Sequence, residues 1–128
     1  MRQPEIKHAD IMPDLIDVLL FSVGEDGHIA SLFPNKASLQ ERKRRVIPIT
    51  GPKPPFKRLT ITPQVIAKAR SVFMLANGSA KAAMLCAALN NTNDFAALPA
   101  RLTLGGTWLM DHMPHLNNNA FIKKLNFT

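Results

Sequence analysis

The chain has 128 residues, of which 46% are hydrophobic and 20% charged; these are the proportions of a globular protein with one real core, and they exclude a disordered or fibrous chain. The apolar run Ile16 to Val23 is well short of the roughly 20 residues that span a bilayer, and the opening MRQPEIKHAD has no apolar secretory segment, so the default compartment is the cytoplasm, with no membrane partner. The formal net charge of +7 leaves two classes of partner open, nucleic acid and small anionic ligands.

In chain order, Asp17 to Val23 is a near-continuous apolar run ended by Gly24, the signature of a strand buried on both faces of a parallel sheet. Ile29, Leu32 and Phe33 then have helical spacing up to Pro34, which predicts a short helix. The run Arg42-Lys43-Arg44-Arg45 has no interleaved aromatics and reads as a solvated loop or helix end, with nucleic-acid contact the minor reading. RVIPIT is a strand that Pro48 moves towards a sheet edge. GPKPPFKR is a stiff connection and LTIT the next strand.

Pro63 suits the first turn of a helix through PQVIAKAR, with Thr62 as N-cap. The run SVFMLANG closes at Asn77-Gly78, and Ser79 caps a helix whose apolar face repeats at Ala80, Ala83, Met84, Ala87 and Ala88. Cys86, the single cysteine, reads as a buried, inert thiol. LPARL is a connection, GTWLMD a last short strand, and the tail from 112 to 128 has no assignable pattern. The alternation predicts one α/β domain over residues 1–128, a mostly parallel sheet with helices on both faces. A strand built for the middle of a sheet stands almost at the start of the chain, so half a sheet is expected to be missing.

Ligands of open parallel sheets bind beyond the carboxyl ends of the strands. Gly24, Glu25, Asp26, Gly27 and His28 stand there, and a histidine, with an unperturbed pKa near 6.5, can act as general acid or base. Asp26 can hydrogen-bond that ring or the backbone. The second loop, Gly78-Ser79-Ala80-Lys81, opens a helix whose N–H groups favour an anion, and Lys81 would complement a phosphate there. Arg58 follows the prolines of PKPPFK and suits a bidentate phosphate contact. Each of these residues also reads as an ordinary solvated side chain. His8, His112 and His115 lack metal-ligand spacing, so no metal site is expected.

The motifs VGEDGHIASLFP, PKPPFKRLTIT, ANGSAKAAML, LPARL and TWLMD, in unbroken order from about Ile16 to Asp111, resemble the C-terminal half of 6-phosphogluconolactonases. The resemblance implies a partial Rossmann-like domain of the sugar-phosphate isomerase, deaminase and lactonase type. It also implies hydrolysis of 6-phospho-D-glucono-1,5-lactone in the oxidative pentose phosphate pathway, without a cofactor. On it, His28 is the general base, with Asp26 beside it, and Arg58 and Lys81 hold the substrate phosphate, with Gly27, Gly78 and Ser79 around them. The glucosamine-6-phosphate deaminases share the DGHIA stretch, but they place a glutamate where this chain has Phe33. The family's N-terminal half, with its phosphate loop, has no counterpart in this sequence. The alternatives are therefore a fragment, one piece of a two-part enzyme, a non-catalytic sugar-phosphate binder, or a subunit that self-associates or pairs with a separate N-terminal half.

Overall fold

The computed structural model describes residues 11–90, 95–111 and 122–124. Its elements are β1 (Val18–Ser22), β2 (Val46–Thr50), β3 (Lys57–Ile61), α1 (Pro63–Lys68), β4 (Ser71–Ala76), α2 (Ala82–Asn90), β5 (Thr107–Met110) and β6 (Ile122–Lys124). The strands β1, β4, β5 and β6 lie side by side in that order, all parallel. A separate antiparallel hairpin joins β2 to β3. The chain thus has the mixed α/β class expected of it, and β6 falls within the tail that carried no readable pattern. The rest of that tail lies outside the described residues.

Register decides where the core forms. Phe21 pairs with Met74 and Met74 with Trp108, so these three share one face of the sheet. They are buried with Met84, Leu85 and Ala88 of α2, Ile66 of α1, and Ile29, Leu32 and Leu39 from the intervening segments. The Trp108 indole N–H, fully enclosed, donates to the Thr103 carbonyl at 3.1 Å. Among the described residues the helical elements gather over this one face.

The other face is open where β1 forms it. Val18 and Leu20 are 59% and 63% exposed, and among the described residues β1 has β4 as its one neighbour. The apolar run that reads as buried on both sides is therefore half-buried at a sheet edge. Hydrophobic pattern reports what a strand is built to cover, and it carries no information on whether the covering elements are present.

Local expectations fare unevenly. Residues 28–34 form no helix: Ala30 has φ of 49°, and Ile29 makes isolated bridges to Val23 and Leu32. The stretch before Pro34 is too short to repay helix nucleation, and a compact turn buries the same side chains. Thr62 does stand at the N-cap position of α1, but its hydroxyl donates to the Arg44 carbonyl at 2.7 Å and caps nothing. Ser79–Lys81 is a 3-10 turn leading into α2, and the Ser79 carbonyl, not its hydroxyl, accepts from the Ala82 N–H. The buried face of α2 is Met84, Leu85 and Ala88, while Ala80 and Ala83 are exposed and Cys86 is half-buried. Small alanines define a face poorly, because each buries little area.

Candidate active site

The turn after β1 is built around His28. Gly24 donates to the His28 carbonyl and accepts from the Gly27 N–H, both at 3.0 Å. A Cβ at Gly24 would collide with the imidazole and with the Asp26 carboxylate. Gly27 has φ of 86°, a conformation that costs a side chain dearly. Its carbonyl accepts from Ala100 at 2.9 Å, and a Cβ there would strike Leu98. Both backbone groups of Gly27 are therefore committed to the turn.

Asp26 holds the histidine twice. Its Oδ1 accepts from the His28 backbone N–H at 3.1 Å and from the imidazole Nδ1 at 2.5 Å. Partial burial pushes the Asp26 carboxyl up; the hydrogen bonds from His28 and its charge when protonated outweigh this and leave the carboxyl below its ordinary value. Because an ionised carboxylate only accepts, Nδ1 carries the proton, and Nε2 of the neutral ring keeps its lone pair. The side chains are 27% and 45% exposed, so the imidazole faces an accessible rim.

The hairpin delivers Arg58. Its Nε donates to the Pro55 carbonyl at 2.8 Å and its Nη2 to the Lys53 carbonyl at 2.9 Å. Gly51 makes room, since a Cβ there would stand 2.6 Å from Nε. The guanidinium carbon lies 5.3 Å from the centroid of the Phe33 ring, and the His28 ring lies 4.7 Å from the same centroid, tilted by 38°. The imidazole and the guanidinium are therefore no farther apart than these two distances together, about 10 Å. The Ser31 N–H donates to Thr60 Oγ1 at 3.1 Å, a second tie between turn and hairpin.

The loop after β4 is differently arranged. Gly78, with φ of 91°, donates its N–H to both oxygens of Asp111 at 3.0 Å. That N–H is thus engaged by a carboxylate of the protein itself. Ser79 is exposed. Lys81, half-buried, stands three residues before Met84, and Met84 would be 3.6 Å from a Cβ at Gly27. Its ammonium meets no hydrogen-bond or ion-pair partner among the described residues.

Phe33, Gly51, Thr60 and Asp111 were not legible as site residues, for each acts through a contact distant in sequence. Within the basic run, Arg44 pairs with Glu41 at 2.9 Å, Arg42 donates to the carbonyls of Leu39 and Glu41, and Arg45 donates to Asp14 and to the Met12 carbonyl. These arginines fasten the loop ahead of the hairpin. Two clefts lie near: one of about 350 Å³ bordered by Phe33, Ser38 and Arg44, and one of about 420 Å³ at the carboxyl ends of β1, β4 and β5, bordered by Ser22, Asn77 and Asp111. Neither has His28, Arg58 or Lys81 in its wall. His8, His112 and His115 lie outside the described residues.

A carboxylate-oriented imidazole beside a tethered guanidinium suits proton transfer on an anionic substrate. In comparison with known proteins, the profile of the Glucosamine-6-phosphate isomerases/6-phosphogluconolactonase family matches residues 4–110. The chain belongs to this family. The 6-phosphogluconolactonases of rat and human are each 42% identical to it over 108 residues, covering 80% of this chain and 41% of each relative. The solved 6-phosphogluconolactonase of Trypanosoma brucei superposes with a TM-score of 0.66 at 29% identity, covering 83% of this chain and 47% of that one. That of Leishmania guyanensis gives 0.65 at 26%, with the same coverage. The chain thus spans less than half the length of these family members.

Proposed function

We propose that this chain carries the base and part of the phosphate-binding surface of a 6-phosphogluconolactonase, acting on 6-phospho-D-glucono-1,5-lactone in the cytoplasm. The observation that carries the reading is the set Asp26–His28–Phe33–Arg58, in which a carboxylate orients the imidazole and one ring brings it near a cation. His28 Nε2 takes a proton from water as the hydroxide equivalent adds to the lactone carbonyl. The ester carbon–oxygen bond to the ring then breaks, and the imidazolium returns its proton to the departing ring oxygen, leaving an open-chain acid. Arg58 and Lys81, with the Ser79 hydroxyl beside them, hold the phosphate away from the reacting carbon. No step in this sequence calls for a metal or redox group.

The exposed Val18 and Leu20 on β1 favour a second reading, a sugar-phosphate-binding piece whose turnover depends on a polypeptide segment covering that open face, whether a separate N-terminal half or a second copy. One experiment separates the two. Lactone hydrolysis above the spontaneous rate, lost in His28→Ala, is the expected result for the chain acting alone; a general base contributes about 10²–10⁴-fold. Equal rates for both proteins, together with calorimetric binding of 6-phosphogluconate that weakens in Lys81→Ala, identify the binding piece. Equal rates without binding reject both.

A further inference from the structure

Phe33 is 4% exposed, yet it stands outside the principal core cluster of the sheet. Two of the groups that enclose it belong to the site. The His28 ring lies at 4.7 Å and the Arg58 guanidinium at 5.3 Å from its centroid, both within the range in which an aromatic ring attracts its neighbour beyond simple area burial. The hairpin that carries Arg58 shares no strand pairing with the parallel sheet that carries the His28 turn. The relative position of base and cation then rests on contacts between turn and hairpin, of which the Ser31–Thr60 hydrogen bond is one and Phe33, which touches both groups, is another.

We propose that Phe33 is a positioning residue that fixes the distance between His28 and Arg58. The inference rests on the lactonase reading for what that distance serves, a sugar phosphate held at one end while its carbonyl meets the base. Phe33 holds the guanidinium on its ring, so that less ordering remains to be done when phosphate binds. The tethers from Arg58 to Pro55 and Lys53 fix the cation within the hairpin only. The ring links that assembly to the catalytic turn.

Leucine at this position would fill much of the space without attracting a cation. In the full chain, nuclear Overhauser contacts from the Phe33 ring protons to both the His28 ring and the Arg58 δ-methylene are expected. In Phe33→Leu, the Arg58 Nε–H and His28 ring signals should both shift away from their ring-current positions. Affinity for 6-phosphogluconate should fall about fivefold, the size of a partly exposed cation–π contact. The double variant Phe33→Leu/Arg58→Ala should bind no more weakly than Arg58→Ala, because the ring acts through that cation.

Losses that multiply independently, or absence of the two Overhauser contacts, overturn the proposal. If the unaltered chain neither hydrolyses the lactone nor binds 6-phosphogluconate, the lactonase reading fails, while the contacts and shifts still decide whether Phe33 sets the spacing. The contacts are read on the unaltered protein, so the outcome does not depend on the variant folding.

Discussion

Arg58 is tied to the carbonyls of Pro55 and Lys53 and rests over Phe33, whereas Lys81 sits on a short 3-10 turn with no side-chain partner among the described residues. The two cations that the proposed function would set on one phosphate are thus presented in opposite ways. Around Arg58 and His28, glycines at 51 and 24 leave space that a Cβ would fill, and hydrogen bonds hold the functional groups in place before any ligand arrives. Around Lys81 the backbone is anchored by Asp111 through Gly78, but the ammonium meets no side-chain partner among the described residues. Pre-ordering reduces the entropy lost on binding and fixes geometry. The difference teaches that substitution by shape should be punished on the first side and tolerated on the second.

The largest effect expected from that contrast is at Gly24. In Gly24→Ala the new methyl displaces the imidazole and the Asp26 carboxylate, and a displacement on the order of 1 Å costs about 100-fold in rate. Lactone hydrolysis should fall by that factor while far-ultraviolet circular dichroism keeps the native spectrum. A rate within threefold of the parent would mean that the turn tolerates what its geometry forbids, and the contrast would dissolve. A smaller effect separates the cations directly. Arg58→Lys keeps the charge but loses the planar fork and its carbonyl tethers, so 6-phosphogluconate should bind about tenfold more weakly, near 1.4 kcal/mol. Lys81→Arg, with no tether to lose, should stay within about twofold. Equal losses in calorimetry would show that both cations are held alike.

The same contrast explains what could be read from the sequence. His28, Asp26 and Lys81 are chemical types in loops beyond the carboxyl ends of parallel strands, and their positions follow from local pattern and the parallel-sheet rule, whereas Arg58, at the start of β3 in the hairpin, was marked only by the prolines before it. The strands β1, β4 and β5 were legible because each is an apolar run closed by glycine or by an acid. The turn at 28–34 was not, since Ile29, Leu32 and Phe33 give the same spacing in a helix and in a compact turn, and Pro34 stops both. Nor was the bridging by Phe33, which depends on where the hairpin folds back. The commitment of Gly78 to Asp111 joins residues 33 positions apart, and no local pattern announces such a pairing. Pattern shows what a segment can bury or donate; tertiary contact decides which donors remain for a ligand.

The smallest expected effect lies in the loop that fastens the hairpin. The Glu41 carboxylate accepts from the backbone N–H groups of Lys43 and Arg44 at 2.9 and 3.0 Å and from the Arg44 guanidinium. The backbone N–H of Arg44 acts most strongly, then that of Lys43, then the guanidinium, and together they hold the carboxyl down at about 2. A folded value below the ordinary one means that the ionised form stabilises the fold. That contribution is complete above about pH 4.5 and is lost as pH falls towards 2. Carbon-detected titration of the Glu41 carboxyl should therefore give a midpoint near 2, and Glu41→Gln should lower the melting temperature at neutral pH by a small amount that vanishes at the acid end. The Phe33 ring signals, in the cleft that Glu41 helps to line, should respond to the same titration. The Lys81 ε-methylene signals should not, because nothing in that loop depends on Glu41. An ordinary midpoint near 4.5 would show that Glu41 does not fasten this loop, and a matching response at Lys81 would show that the two sides of the site are ordered by one common device.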